Sequence, residues 1–482
     1  MTVITDPAFL SARQQAALIR RGKIGCLELL DHYIDRIVRY DGKINAVVAR
    51  DFERGRARAK RLDRDGARVG KLFGVPTTVK ESFDVAGLPT TWGVAEKRGQ
   101  SAAADALAVR RLEAAGAVVF AKTNVPPMLG DWQSANPIYG VTNNPWDLTR
   151  SPGGSSGGSA AALAAGLTGL ELGSDIGGSI RQPAHSCGLF GHKPSYGLLP
   201  MRGHGPEPGI AGSVDIAVIG PLARSADDLA LVLGLLAQPD PQETALRVNL
   251  PKRGPIGIKG LRVAVWSADP TVAPDATISG ELAALAKFLR REGAKVSMTA
   301  RPAFDPAQAF MIALQMLGAA LSIGPPGSNA LAVARAEALA PDDRSPGAWL
   351  TRGMALRHSD FLGLNERRHR LRRAWAVFFQ DWDVVLCPAF AVPALAHVTA
   401  ANRDRQVVIN GEDRSWFEMM FWPLLAGAVH LPATVAPLGQ TSAGLPFGVQ
   451  IIGPLHGDRM TISVADLLET SWRGFAPAPE WE

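Results

Sequence analysis

Cysteine is scarce: Cys26, Cys187 and Cys387 are the only three in 482 residues. They are too few and too far apart for a disulfide framework or a cysteine-based zinc site. Buried free thiols in a reducing compartment are the expected state. The N-terminus has no basic region followed by an apolar run, so no secretory signal is read and a cytoplasmic protein is expected. Long apolar runs are missing too. The best membrane candidate, Phe310–Ile323, is too short to span a bilayer and stops at Gly324-Pro325-Pro326-Gly327. Nor is there an excess of one charge: 51 Lys and Arg against 45 Asp and Glu leave +6. The one basic cluster, Arg367, Arg368, Arg370, Arg372 and Arg373, reads as the solvated face of a helix, and no nucleic acid is expected as a partner. Internal repeats and low-complexity tails are absent. The nearest metal-like group, His185 with Cys187 and His192, lacks a carboxylate and regular ligand spacing, so it is read as structural and no metal or cofactor is expected.

The chain is rich in material for a core, with 46% hydrophobic residues. Length alone suggests about three domains, but no linker-like break interrupts the pattern, so residues 1–482 are read as one large domain. Leu27, Leu30, Ile34, Ile37 and Val38 mark one face of a helix over Leu27–Tyr40, a face that would suit a homodimer. Phe52–Arg64, Asp105–Ala115 and Ala226–Leu236 read as further helices. Asn45–Ala49, Ala117–Lys122, Leu261–Trp266, Asp383–Pro388, Ala433–Pro437 and Phe447–Ile452 read as strands. Helices alternating with strands predict an α/β fold, a mixed sheet covered by helices on both faces. Residues 300–380 read as a helical excursion that covers the site and shapes a pocket. Asn124–Arg150, rich in Pro, Asn and Trp, reads as a long loop of the kind that builds sites.

The chain is organised around Ser151-Pro152-Gly153-Gly154-Ser155-Ser156-Gly157-Gly158-Ser159, an Ala-rich run, and Gly173-Ser174-Asp175-Ile176-Gly177-Gly178-Ser179-Ile180-Arg181. A flexible linker would repeat and stay polar. Here an apolar stretch intervenes, read as a helix over Ala160–Ala165 with Ser156 or Ser159 as N-cap and Gly166 as C-cap. Glycine beside a reactive serine lets a carbonyl approach the backbone and leaves N–H groups to bind it. The serine needs a base. Nine histidines are available, and Gly153–Gly157 even fits a G-x-S-x-G elbow, but the residues before Ser155 make a poor strand, which that elbow requires. A lysine that loses its charge on burial is the other candidate. Lys80 follows Val75–Val79 at a strand end, though its own context is equally that of an ordinary lysine.

The glycine–serine segments resemble those of the amidase signature family. Val79-Lys80-Glu81, Thr123-Asn124-Val125-Pro126, Asn144-Pro145-Trp146, Cys187–Pro194 and Pro446–Ile451 resemble it as well. The likeness is dense from about 72 to 236 and keeps the family's order, which makes it more specific than any one motif. It implies a Ser–cis-Ser–Lys triad: Ser179 as nucleophile, Ser155 as the cis-serine, Lys80 as terminal base. It also implies an oxyanion hole of backbone N–H groups at Ile176, Gly177, Gly178 and Ser179. Ser156, Ser174, Asp175 and Arg181 would support the triad, and Leu129, Gly130 and Asp131 would line the acyl pocket, with Met128 and Trp132 near. Ser174 departs from the commoner Thr, and His192 and Ser195 depart from the commoner Leu and Thr.

The expected function is hydrolysis of an amide C–N bond through an acyl-enzyme on Ser179, with ester or carbamate cleavage as a side activity. The apolar Trp416–Trp422 stretch points to an aryl or alkyl amide or a carbamate if it lines the pocket, and is plain helix core if it does not. Three alternatives stand beside this: the glutaminase subunit of a tRNA-dependent amidotransferase, a binding protein that kept the fold, and a Ser–His–Asp hydrolase built on Ser155.

Overall fold

The computed structural model describes residues 6–64, 67–207, 212–242, 247–251, 257–322 and 329–481. Its frame is one mixed sheet of eleven strands: β1 Val47–Arg50, β2 Pro76–Lys80, β3 Val118–Thr123, β4 Leu170–Asp175, β5 Phe190–Lys193, β6 Val218–Ala223, β7 Arg262–Val265, β8 Lys295–Ser297, β9 Val384–Pro388, β10 Ala433–Gln440 and β11 Pro446–Ile452. They lie in the order β1-β3-β2-β4-β6-β5-β10-β11-β9-β7-β8. The β3-β2-β4 block is parallel, β4 through β9 alternate antiparallel, and β9-β7-β8 is parallel again. This is the α/β architecture that the alternating pattern predicts. Successive side chains of a strand face opposite ways, and here they enter different cores. Val119 packs in one apolar cluster and its neighbour Phe120 in another. Val384 and Leu386 share the first cluster, while Val385 and Cys387 turn to a third. Helices therefore cover both faces.

The helices are α1 Ala12–Arg20, α2 Cys26–Ile44, α3 Phe52–Arg64, α4 Leu107–Ala114, α5 Gly157–Ala164, α6 Arg181–Cys187, α7 Ala226–Leu236, α8 Ala276–Arg291, α9 Pro306–Leu321, α10 Ala330–Glu337, α11 Pro346–Met354, α12 His358–Asp381, α13 Phe421–Gly427 and α14 Asp458–Ser471. Helix α1 starts in a capping box, with Ser11 Oγ accepting from Gln14 N and the Gln14 side chain accepting from Ser11 N. The apolar face of α2 is used inside the chain. Of the face expected for a dimer, Leu30, Ile34 and Ile37 are buried with Phe9, Phe120 and Trp481, while Val38 is 72% exposed. No helix among the described residues is long and apolar enough to cross a membrane; α9 covers most of Phe310–Ile323, and the Gly324–Gly327 stop lies outside the described residues.

A further expectation needs correction. The basic cluster is only partly a solvated face. Arg367, Arg370 and Arg373 of α12 are exposed, but Arg368 is buried and bonds Asp215 Oδ2 at 2.6 Å and Asn365 Oδ1. Within the 367–373 run Arg368 is the arginine on the inward register, and there a guanidinium needs a carboxylate partner. The stretch 406–415 also holds a hairpin that its composition did not signal, Gln406–Ile409 with Glu412–Ser415, while Trp416–Trp422 forms a 3-10 turn running into α13, the helix-core alternative.

Candidate active site

Strands β2 and β4 run parallel, with Val79 level with Leu172, so their carboxyl ends open at the same edge of the sheet. Sites of α/β proteins gather at such edges. Lys80 is the last residue of β2 and Asp175 the last of β4. Helix α5, fully buried and Ala-rich, lies against the same edge and carries the first serine segment at its N-terminus. It begins at Gly157, three residues before the expected start. Ser156 stands at the N-cap position, yet its hydroxyl donates to Ser174 O at 3.3 Å rather than capping α5. Ser159 sits inside the helix and pairs with Thr123 Oγ1 at 2.9 Å. Gly166, at φ +64°, closes the turn after the helix, as expected of glycine.

The fold brings Lys80, Ser155 and Ser174 together. Lys80 Nζ is 2.6 Å from Ser155 Oγ and 2.9 Å from Ser174 Oγ. The Gly154–Ser155 peptide is cis. Ser156 N donates to Ser179 O at 3.2 Å, which ties the first serine segment to the second. Lys80 is wholly buried, Ser155 is 1% exposed and Ser179 5%. A cavity of about 1040 Å³ lined by Ser101, Arg110, Tyr196 and Pro200 contains none of the three. Helices α9 and α13 instead pack against the Gly177–Gly178 turn that leads to Ser179. A Cβ on Gly177 would meet Leu317 at 3.8 Å, and one on Gly178, whose φ is +107°, would meet Pro423 at 3.0 Å.

Burial holds the Lys80 amine well below the ordinary lysine value, although Asp175 and Glu171 pull it upward. A protonated amine without water loses its hydration shell, and two carboxyl groups at a distance do not replace it. Burial would raise Asp175, but the charge and hydrogen bonds of Arg181, with Lys193 and the Ile180 N–H, outweigh it and hold Asp175 at about 2. Arg181 bonds both Asp175 oxygens, at 2.7 and 2.9 Å, and also Pro423 O and Gln450 Oε1 at 2.6 Å each. It thereby pins the start of α6 to α13. Asp175 also gathers the N–H groups of Gly178, Ile180 and Arg181. The Gly178 N–H, expected to be free for an oxyanion, is thus committed to Asp175 at 2.9 Å. Ile176, Gly177 and Ser179 are the N–H groups of this turn that Asp175 does not take. Glu171, under Lys80 on β4, is pushed up to about 7 by burial, against the hydrogen bond from Thr78.

Of the expected pocket residues, Leu129 is half-buried with φ +57°, and Gly130 O accepts from Asn402 Nδ2 at 2.9 Å. The Asp131 carboxylate is engaged by Arg405, with both oxygens at 2.8 Å. What Asp131 presents to the site is its backbone: a Cβ on Gly154 would lie 2.5 Å from Asp131 O. In the aromatic stretch Trp416, Met419, Phe421 and Trp422 are buried in one cluster with Leu317 and Trp132. They are core, and that core abuts the Ser179 turn through Leu317 and Pro423.

Among the described residues no histidine bonds Ser155 or Ser179; the nearest to Lys80, His204, pairs instead with Ser82 Oγ at 3.0 Å and is pushed down to about 3 by burial and by Lys80. His185 accepts from Gly448 N at 3.0 Å and pairs with Val392 O, and burial pushes it down to about 4. His192 sits between Asp458 and Thr434. No group of three His, Cys, Asp or Glu that would hold a metal ion occurs among the described residues. Arg405 and Gln182, whose Oε1 accepts from Gly154 N at 3.0 Å, are contacts that sequence reasoning missed. Gln182 was signalled only by standing three residues after Ser179, and Arg405 by nothing local.

The site sets a buried lysine amine against a serine hydroxyl, beside a glycine turn whose Ile176, Gly177 and Ser179 N–H groups Asp175 does not take. The chain matches the Amidase family model over residues 28–462, and it belongs to that family, the amidase signature enzymes, as a C–N hydrolase. It is 35% identical to AmiB2, a provisionally assigned amidase of Mycobacterium tuberculosis, over 97% of both chains. It is 33% identical to the GatA-type component of the glutamyl-tRNA(Gln) amidotransferase of Anaeromyxobacter dehalogenans, over 98% of this chain and 97% of that one. Among solved structures, an inhibitor-bound complex bearing on the evolutionary origins of an s-triazine catabolic enzyme superposes with a TM-score of 0.80. The identity there is 29%, over 96% of this chain and 98% of the other.

Proposed function

We propose that the protein hydrolyses an amide C–N bond through an acyl-enzyme on Ser179, with Ser155 as relay and Lys80 as terminal base. The observation that carries this is the buried Lys80 amine 2.6 Å from Ser155 Oγ. Neutral Lys80 takes the Ser155 proton as Ser155 takes that of Ser179. Ser179 Oγ attacks the carbonyl carbon, and the Ile176, Gly177 and Ser179 N–H groups receive the oxygen as it gains charge. The proton returns from Lys80 through Ser155 to the leaving nitrogen, and the C–N bond breaks. Water then cleaves the acyl ester, its proton passing through Ser155 to Lys80 and back to Ser179 Oγ. Ser174 and Ser156 hold this relay in place, and Arg181 with Asp175 holds the turn.

The substrate is an aryl or alkyl amide or a carbamate. Leu317 and Pro423, packed against the turn before Ser179, favour apolar acyl groups. Leu129, Gly130 and the Asp131 backbone form the adjoining wall. No cofactor enters any step. A second reading, the glutaminase component of a tRNA-dependent amidotransferase, is supported by the 33% identity to such a component. It requires a polar, glutamine-sized pocket, which that apolar wall does not favour.

The test is a panel of an aryl amide, an aryl carbamate, a small aliphatic amide and glutamine, on wild type and Ser179→Ala, with mass spectrometry for acylated Ser179. Turnover by Ser179→Ala would end the nucleophile assignment. Preference for the small aliphatic amide would end the apolar-substrate reading, and glutaminase activity raised by partner subunits and tRNA would favour the second.

A further inference from the structure

Trp132 lies between the two serine segments. Its carbonyl accepts from Ser151 Oγ at 3.2 Å, at the head of the segment leading to Ser155. Its backbone presses on Gly154, where a Cβ would come within 2.8 Å of Trp132 C. Its indole Nε1 donates to Gly177 O at 3.4 Å, in the turn leading to Ser179. The side chain is buried, edge-on to Phe390 at 5.1 Å and tilted against Trp416 at 5.4 Å. Trp416 carries the Arg405 guanidinium on its face at 4.9 Å. Arg405 in turn grips Asp131, the neighbour of Trp132, with both oxygens at 2.8 Å. Asp131, Arg405, Trp416 and Trp132 therefore close a ring of contacts.

The Gly177–Gly178 peptide is held from both sides, its oxygen by Trp132 and its N–H by Asp175 Oδ1. A Gly–Gly pair has the widest backbone freedom of any dipeptide, so these two partners decide where the turn's N–H groups point. At 3.4 Å the indole bond is long for N–H···O. Bonds of this kind often tighten only as the transition state forms, and an interaction strengthened there raises kcat without lowering KM.

We propose that Trp132 is a positioning residue for the oxyanion turn. Its indole N–H fixes the Gly177–Gly178 peptide, and the Asp131–Arg405–Trp416 contacts fix the indole. The proposal rests on the reading of Ser179 as nucleophile.

Trp132→Phe keeps a ring in the cluster and removes the donor. One net hydrogen bond corresponds to roughly a 3- to 10-fold fall in kcat, with KM unchanged and the acid limb of the pH profile unmoved, because Lys80 is untouched. A trifluoromethyl ketone that adds to Ser179 should lose affinity by the same factor. A folded variant with kcat within about 1.5-fold of wild type, or with the loss in KM alone, overturns the proposal. Arg405→Gln tests the ring without altering Trp132. It should lower kcat at constant KM, and in combination with Trp132→Phe should add little to the larger single loss. An unchanged kcat, or fully additive losses, refutes the link. Labelling Ser179 with a fluorophosphonate separates the two readings. No label on wild-type Ser179 refutes the nucleophile, whereas equal labelling rates in wild type and Trp132→Phe refute only the role of Trp132.

Discussion

Gly158 in the first turn of α5 gives a prediction in which two physical effects oppose each other. Its backbone is helical, and by propensity alone Gly158→Ala would stabilise the helix by about 1 kcal/mol. The added Cβ, however, would stand 2.3 Å from Asn124 N, 2.6 Å from Asn124 O and 2.9 Å from Asn124 Cα. All three are backbone atoms, just past the end of β3, and cannot swing aside as a side chain could. Restoring an ordinary contact of about 3.4 Å or more requires α5 to retreat by about 1 Å. Overpacking of this kind costs about 1–3 kcal/mol, which exceeds the propensity gain. The retreat would carry Ser155, two residues before the helix, away from Lys80. A 1 Å misplacement of catalytic groups costs about 100-fold in rate. Gly280 of α8 is the control: it is also helical, but a Cβ there meets nothing within 4 Å. Gly280→Ala should gain about 0.5–1 kcal/mol and keep full activity. Denaturant titration and kcat of the two variants form the assay. A Gly158→Ala enzyme as stable and active as Gly280→Ala would refute the argument that packing at Asn124 sets the serine's position.

Removing the lysine amine should act on both rate and stability. Lys80→Met should abolish turnover at every pH, whereas the wild-type rate should rise with pH through a limb well below the ordinary lysine range, because the neutral amine is the active form. For stability, the folded pKa is depressed, so between it and the unfolded value of about 10.4 the unfolded chain binds more protons. Wild-type stability relative to Lys80→Met should therefore rise as pH rises through that window and be lowest below it. Melting curves across pH check this, and a difference that does not vary with pH would mean the amine is charged in the fold. Arg181→Leu strands the buried Asp175 and should cost about 3–5 kcal/mol by denaturant titration. Arg181→Lys should recover little of it, since one ammonium cannot reach Asp175, Pro423 and Gln450 together; full recovery would refute the guanidinium's bridging role.

How much of this was readable in the chain depends on distance along it. Phe52–Arg64 and Ala226–Leu236 appear at the bounds read for them as helices. Lys80 closes its strand as the Val75–Val79 pattern implies. The hairpin at 406–415 escaped notice because its strands are four residues each, and their alternation is too short to register. Arg368 was misjudged because a run of arginines shows no inward register until Asp215, far away in sequence, supplies the partner.

The sequence by itself determined the longer helices and strands, the α/β class and the residues that carry the resemblance to the amidase signature family, since each is written in local periodicity, turn chemistry or a contiguous motif. Tertiary structure alone decided that the Lys80 amine is pushed well below the ordinary lysine value, because desolvation belongs to the surroundings and not to the residue. It also decided that Asp175 draws off the Gly178 N–H, that Asp131 turns to Arg405, and that Trp132 bridges the serine segments. Those are contacts between groups whose meeting only the folded sheet arranges.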